Sequence, residues 1–226
     1  MLFNLSRTAW AFIAPFVLFM AFLALRGAAE PYTFAGLDAR WLYAVQTLLV
    51  GGLMVVLWRH YGELVRQTLP SAGQWLLSLG VGVLVFGLWI HLDAPWMLLG
   101  EATASFVPTD SGGQLIIALV VFRLLGAAVV VPLMEELFWR SFLMRWIDQP
   151  VFEGVDPKRV SAKAVVLSTF VFTLAHTQWL AAIVAGLAYA LLYRQTGKLW
   201  TAVIAHAVTN LLLGLWVLKT GQWQFW

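Results

Sequence analysis

Three charged residues interrupt one apolar stretch, Val-Pro-Leu-Met-Glu-Glu-Leu-Phe-Trp-Arg-Ser-Phe-Leu-Met at residues 131–144. Glu136 and Arg140 are four residues apart, so on a helix they share one face and can form an ion pair. Glu135 projects about 100° around the helix from Glu136 and is not expected to share that arginine. A carboxyl group that is unpaired and removed from water is suited to general-base chemistry, so Glu135 is the candidate for activating a water molecule.

Two further apolar stretches carry isolated polar side chains. His206 and Asn210, in His-Ala-Val-Thr-Asn, are also four residues apart on one predicted helix face. Both can donate hydrogen bonds into an apolar interior, which is what a developing oxyanion requires. His176 ends the run Phe-Thr-Leu-Ala-His, and its ring could orient the same water or share the proton of Glu135.

Each of these residues also has a purely structural interpretation. The pair Glu136 and Arg140 could stabilise helix packing, and Asn210 could make a simple hydrogen bond between helices. His176 could bind a backbone carbonyl. The occurrence of all these groups on three predicted spans favours a functional site. Arg123 stands apart from the set, and we expect it to snorkel towards the membrane surface or to form a structural pair.

The composition places these residues in a membrane. The chain has 226 residues, of which 62% are hydrophobic and 11% charged, whereas soluble domains carry about 25% charged residues. This excludes a soluble globular domain, a disordered chain and a nucleic-acid-binding protein. The absence of cysteine excludes thiol catalysis and thiolate metal sites. A charge near the middle of a span costs about 2.5–3.5 kcal/mol on insertion scales. The buried charges therefore need a partner or a functional role.

The hydrophobic pattern predicts seven membrane spans around these residues. The expected spans are Thr8–Leu25, Trp41–Trp58, Gln74–His91, Gln114–Ile147, Ala164–Trp179, Leu180–Tyr193 and Leu199–Leu218. Asp93–Gly113 is predicted to be a loop with a short interfacial piece around Trp96–Leu99, and Asp148–Lys163 is predicted to be a polar loop.

The fourth predicted span raises a question of length and depth. At 1.5 Å per residue it would be roughly 50 Å long, against a hydrocarbon core of about 30 Å, so it must tilt, kink or leave the membrane. Pro132 is the expected site of a kink. Glu135 then lies towards the cytoplasmic end of its span, whereas His176 lies well inside the fifth. The two meet only if the fourth helix kinks or the fifth begins outside the bilayer.

The basic residues predict the orientation. One side of the seven-span map carries most of them: Arg7, Arg59, Arg66, Arg140, Arg145, Lys158, Arg159, Lys163, Arg194 and Lys198. Arg26, Arg40 and Lys219 fall on the other side. We therefore expect a multi-pass protein of the cytoplasmic (inner) membrane with a cytoplasmic N-terminus and an exported Asp93–Gly113 loop.

The polar set resembles the CPBP intramembrane protease family, which includes the type II CAAX prenyl endopeptidases and the abortive-infection-type membrane proteins. The resemblance covers about Leu115 to Leu218 and rests on Glu-Glu-x-x-x-Arg, Phe-x-x-x-His and His-x-x-x-Asn in that order. The matching residues are Glu135, Glu136, Arg140, Phe172, His176, His206 and Asn210. The stretch around Glu135 also resembles a bacterial subgroup named CAAX protease-related.

The resemblance implies about eight membrane helices that form a cavity open towards the cytoplasm. An eighth helix could lie in Asp93–Gly113 or in the long fourth stretch. In the family scheme Glu135 and His176 would activate a water, and His206 and Asn210 would stabilise the tetrahedral oxyanion. Glu136 with Arg140 would hold the site in shape.

These observations predict an all-α polytopic membrane protein, with N-terminal helices in residues 1–113 and a catalytic core in 114–220 of one structural domain. The predicted function is an intramembrane endopeptidase whose substrate is a membrane-anchored or lipidated protein or peptide. One alternative is a zinc-dependent version, an intramembrane metalloprotease in which Glu135, His176 and His206 bind Zn²⁺. Another is a non-catalytic immunity or scaffold protein. A transporter is less favoured because the first three spans offer almost no polar residues. The sequence leaves the oligomeric state open.

Overall fold

The computed structural model describes residues 5–28, 33, 38–65, 68–100 and 106–226. These residues form helices and turns without a named β-strand, and Thr109 and Leu115 make one isolated antiparallel bridge. Within the described part of the chain, seven helices have ten or more residues. They are α1 (Arg7–Ala28), α2 (Trp41–Val56), α3 (Ala72–Trp89), α4 (Ile117–Asp148), α5 (Ala162–Leu174), α6 (Trp179–Thr196) and α7 (Leu199–Thr220).

Four of these helices, α1, α3, α4 and α7, are long and apolar enough to cross a membrane, and α2 and α5 are shorter apolar helices. Large apolar side chains on their outer faces, such as Val55, Leu76 and Ile117, are more than 60% exposed, as lipid-facing residues are. The prediction of an all-α polytopic membrane protein is confirmed. The orientation remains a prediction, and Arg66, used for it, lies outside the described residues.

Neither place suggested for an eighth helix contains one in the described residues. The loop between α3 and α4 has a single 3₁₀ turn, Pro95–Met97, where a short interfacial piece was expected; residues 101–105 of that loop lie outside the described residues. The fourth stretch stays one helix of 32 residues.

The disturbance expected at Pro132 takes the form of two π-helical segments in α4. Gly126–Val130 and Leu137–Met144 have the wider π pattern, and Val131–Glu136 between them is α-helical. Such segments are rare and occur often at functional sites. Here they flank both glutamates and change the direction in which successive side chains project.

The next two helices form a tight hairpin whose first helix is shorter than predicted. Ser161 caps the start of α5 by accepting from the Ala164 N–H, and its own N–H and hydroxyl donate to the Asp148 carboxylate at 2.7 and 2.6 Å. This ties the start of α5 to the end of α4. Thirteen residues of α5 rise about 20 Å, less than a hydrocarbon core of about 30 Å, so the turn that follows α5 can lie within the membrane.

The last helix is the centre of the bundle, and α3 packs along it. A Cβ added to Gly82 would lie 2.6 Å from the Ala205 carbonyl oxygen and 2.8 Å from the Val208 Cβ, so glycine is what allows the two helices to approach. Gly197, in the left-handed region at φ 68°, ends α6 and reverses the chain into α7. Helix α3 belongs to residues 1–113 and α7 to residues 114–220, and the two pack together. The division into N-terminal helices and a catalytic core therefore stays a proposal about function.

Candidate active site

Glu136 lies in a buried network of charges. Its side chain is fully buried, and its Oε2 lies 3.2 Å from the Nε of Arg140, which is 1% exposed. The predicted pairing of Glu136 with Arg140 is therefore present. Arg140 also donates to the Gly186 carbonyl of α6 at 3.4 Å, and its guanidinium carbon lies 4.9 Å from the centre of the Phe172 ring. The arginine thus joins α4, α5 and α6.

His206 contacts the same carboxylate, a partner that the sequence did not indicate. Its Nδ1 lies 2.8 Å from the other oxygen of Glu136, Oε1. An ionised carboxylate only accepts hydrogen bonds, so Nδ1 carries the proton and Nε2 is the nitrogen left for chemistry. Tyr189 stacks on the ring at 5.0 Å with an interplanar angle of 17° and fixes its plane.

His176 does not lie in a helix, contrary to the prediction. Helix α5 ends at Leu174, and His176 stands in the turn between α5 and α6. Its Nδ1 lies 2.8 Å from the Phe172 carbonyl oxygen, and because that oxygen can only accept, Nδ1 is the donor. The Nε2 of a neutral His176 is therefore an acceptor. The ring packs against Phe172 and Trp89, with centroid distances of 4.3 and 5.8 Å.

Asn210 makes the hydrogen bond between helices that was its structural interpretation. Its Nδ2 donates to the Ala127 carbonyl at 2.8 Å. In the π segment of α4, Val131 donates to Gly126, so the next residue would donate to Ala127. That residue is Pro132, which has no N–H. Asn210 satisfies the carbonyl that the proline leaves without a backbone donor, and one N–H of its amide remains for another acceptor.

The four residues assigned to water activation and oxyanion binding line one cavity. The cavity has a volume of about 140 Å³, and Glu135, His176, His206 and Asn210 are among its lining residues. A water molecule needs roughly 10–15 Å³ of such space, so there is room for water and for a small reacting group. The conflict of depth is resolved because Glu135 and His176 line the same cavity, with the start of α5 tied to the end of α4 through Ser161 and Asp148.

Glu135 itself is 8% exposed. Its Oε2 is buried and has no hydrogen-bond partner among the described residues. It is close enough to interact electrostatically with the His176 ring. A buried carboxylate oxygen without a partner is costly for folding, which is typical of a group kept for chemistry.

The cavity wall contains two residues that the sequence did not single out, Tyr189 and Thr209. The Tyr189 hydroxyl donates to the Thr209 hydroxyl at 2.8 Å, and Thr209 lies 2.9 Å from the Gly82 carbonyl. This chain links α6, α7 and α3 behind His206. Tyr189 could have been noticed as a polar ring in an apolar helix, but its partner Thr209 on α7 has no signal in the sequence.

A second polar cluster, also missed, lies away from the cavity. Arg145 donates to the carboxylate of Glu63 at 2.6 Å and to the Ser141 hydroxyl at 2.7 Å. The hydroxyls of Ser141 and Tyr193 also donate to Glu63. The cluster anchors the connection between α2 and α3 to α4 and α6. Glu63 stands in a short connection with no helical pattern, so its spacing to Arg145 carried no information.

The residues proposed as zinc ligands do not form a metal site. Glu135, His176 and His206 line the same cavity, but no group of three His, Asp or Glu side chains in the described ranges is arranged to hold a metal ion. With Nδ1 of each histidine bound within the protein, only their Nε2 atoms could coordinate a metal ion.

Comparison with known proteins identifies one family. The family model described as type II CAAX prenyl endopeptidase Rce1-like matches residues 116–212. No curated protein and no solved structure matches the chain. The matched segment contains all six predicted site residues, and the family is one of proteases. The resemblance inferred from the sequence is thereby confirmed.

Proposed function

Residues 116–212 carry a type II CAAX prenyl endopeptidase Rce1-like segment, and on that premise we propose that the chain is an intramembrane endopeptidase. The observation that supports this best is the convergence of Glu135, His176, His206 and Asn210 on one cavity inside a membrane bundle. They come from two helices and one turn that are far apart in the chain, and packing alone gives no reason for four polar groups to face the same space.

Glu135 and His176 activate the water. The carboxylate of Glu135, which lines the cavity, takes a proton from the water, and the Nε2 of neutral His176 accepts a hydrogen bond from it. The water oxygen attacks the peptide carbonyl carbon to give a tetrahedral oxyanion. The C–N bond then breaks, the proton passes from Glu135 to the leaving nitrogen, and the products are a carboxylic acid and an amine.

His206 and Asn210 stabilise the oxyanion. His206 can donate from Nε2 only when the ring carries both protons, and the Glu136 carboxylate holds its Nδ1. Arg140 holds the carboxylate in place on its other oxygen. The amide N–H of Asn210 that does not bind Ala127 is the second donor. Loss of one such donor costs about 10²–10³ in kcat.

The substrate is proposed to be a membrane-anchored or lipidated protein or peptide. The bundle has an apolar outer surface and belongs in a bilayer, so a substrate held in the same bilayer reaches the cavity without leaving the membrane. We place the protein in the cytoplasmic (inner) membrane, following the bias of basic residues, with the site open to the cytoplasm as the family resemblance implies.

One observation favours a second candidate, the non-catalytic immunity or scaffold protein. Asn210 and the Nδ1 of His206 already have partners within the bundle, as they would if they only held helices together. In that case the cavity would bind a membrane partner without cleaving it.

The two candidates differ in what happens to membrane proteins in cells. Cells expressing the protein, its Glu135→Ala variant or a Glu153→Ala control are compared by profiling new peptide termini in the membrane fraction. Glu153 is an exposed carboxylate in the loop between α4 and α5. We expect new termini with the wild type and the control but not with Glu135→Ala. Equal profiles in all three would refute the protease and favour the scaffold.

A further inference from the structure

Two arginines outside the proposed active site form a cationic pair at the opposite, predicted exported, end of the bundle. Arg26 lies in the last turn of α1, and Arg123 lies six residues into α4, a helix that begins at Ile117. We call them the outer arginine pair. The sequence predicted that Arg123 snorkels or forms a structural pair, but in the described part of the chain its Nε is buried and unpartnered.

Aromatic rings hold the two guanidinium groups close together. The guanidinium carbons of Arg26 and Arg123 lie 5.1 and 4.5 Å from the centre of the Tyr43 ring, so they are at most about 10 Å apart and repel one another. Arg123 also lies 5.4 Å from the Phe106 ring and 5.8 Å from the Trp226 ring. Cation–π contacts stabilise each positive charge but leave N–H donors unused.

No carboxylate neutralises the pair among the residues that the structure describes. Arg26 donates to the neutral amide of Gln46 at 3.4 Å. The Nε of Arg123 has no hydrogen-bond partner there. Asp38, which lies in the connection from α1 to α2, is bound by Arg40 at 2.7 Å. Two cations with unused donors in an apolar setting favour binding of an anion, and no carboxylate of the described residues supplies it.

The surroundings indicate the source of that anion. Apolar side chains next to the pair on both helices, Leu25, Val121 and Leu125, are 37%, 46% and 50% exposed, so this rim of the bundle faces lipid. At the end of a membrane helix the available anions are phosphate groups of the lipid headgroups. The planar fork of arginine binds phosphate oxygens through paired N–H donors.

We propose that the outer arginine pair binds a phosphate group, supplied by a phospholipid headgroup of the leaflet at that face. The headgroup accepts from terminal N–H groups of Arg26 and Arg123, and its acyl chains lie against the exposed residues of α1 and α4. The site would fix a lipid between these two helices. It is independent of the proposed protease activity.

The test measures lipid binding to the full-length protein in dodecyl maltoside and phosphate-free buffer, by native mass spectrometry. The probes are dioleoylphosphatidylglycerol, dioleoylglycerol, which has the same chains without phosphate, and inorganic phosphate as competitor. The variants are Arg26→Gln, Arg123→Gln and Arg123→Lys. Arg59→Gln is the matched control because Arg59 is an exposed arginine at the other end of the bundle.

We expect Arg26→Gln and Arg123→Gln each to weaken binding of the phospholipid about tenfold or more, the effect of losing a charge-assisted hydrogen bond. Arg59→Gln binds as the wild type does, and Arg123→Lys keeps part of the affinity, which also shows that the site survives substitution. All variants bind dioleoylglycerol with the affinity of the wild type. Competition by inorganic phosphate would show that the site also takes phosphate from solution. Equal phospholipid affinity of the wild type and both glutamine variants would overturn the proposal.

Discussion

Replacing Glu136 alone is expected to destabilise the protein more than replacing Glu136 and Arg140 together. Glu136 is fully buried, Arg140 is 1% exposed, and their side chains are 3.2 Å apart. Glu136→Gln keeps the shape of the side chain but leaves Arg140 as a buried cation without a carboxylate. Breaking a buried pair from one side costs about 3–5 kcal/mol, whereas replacing both partners by neutral groups is often close to neutral.

The double variant Glu136→Gln/Arg140→Met removes the orphaned charge. The amide oxygen introduced by Glu136→Gln can still accept from the Nδ1 of His206, so that contact is kept in both variants. We therefore expect the double variant to recover at least about 2 kcal/mol of the free energy of unfolding lost by the single one. Unfolding by sodium dodecyl sulfate in mixed micelles, followed by the fluorescence of the 13 tryptophans, measures both values. Simple additivity of the two substitutions would refute the buried-charge argument.

Three further predictions concern the cavity and its scaffold. Asn210→Ala is expected to lower kcat about 10²–10³-fold and to lower the melting temperature. Adding Pro132→Ala returns an N–H to the Ala127 carbonyl and should restore the melting temperature but not kcat. Recovery of both would mean that Asn210 has only a structural role. Gly82→Ala should lower the melting temperature because its Cβ would lie 2.6 Å from a backbone oxygen of α7, whereas Gly80→Ala, with open space around it, should not; equal melting temperatures would contradict the close approach of α3 and α7. Proteolysis should persist after extended dialysis against EDTA, since the proposed mechanism uses no zinc ligand set, and its loss with recovery on adding Zn²⁺ would contradict the metal-free mechanism.

The sequence predicted well those features that depend on local spacing and on the cost of burying polar groups. The pairing of Glu136 with Arg140 follows from four-residue spacing on a helix. The assignment of Glu135, His176, His206 and Asn210 to one site followed from their chemistry. Isolated polar groups in apolar helices need partners or a functional role. The cavity that they share agrees with that reasoning.

Other features depend on the three-dimensional arrangement and had no sequence signal. Leu174 is followed by Ala, His, Thr and Gln, without a proline or glycine to break the helix, so the sequence did not show that α5 ends before His176. The π segments of α4 are a change of hydrogen-bond register that composition does not record. The second partner of Glu136, His206, and the link from Glu63 to Arg145 join residues that are 70 and 82 positions apart.

The most direct test of the proposed mechanism is the kinetics of Glu135→Gln in purified, lipid-reconstituted protein. A fluorogenic peptide with a lipid anchor, based on a cleavage site found by terminus profiling, serves as the substrate, and Glu153→Gln is the control. Glu135→Gln keeps the shape of the side chain but cannot take a proton from water. We predict a fall in kcat of about 10²–10⁴-fold with little change in KM, and wild-type kinetics for Glu153→Gln. A Glu135→Gln variant that cleaves the peptide at the wild-type rate would contradict the assignment of Glu135 as the base.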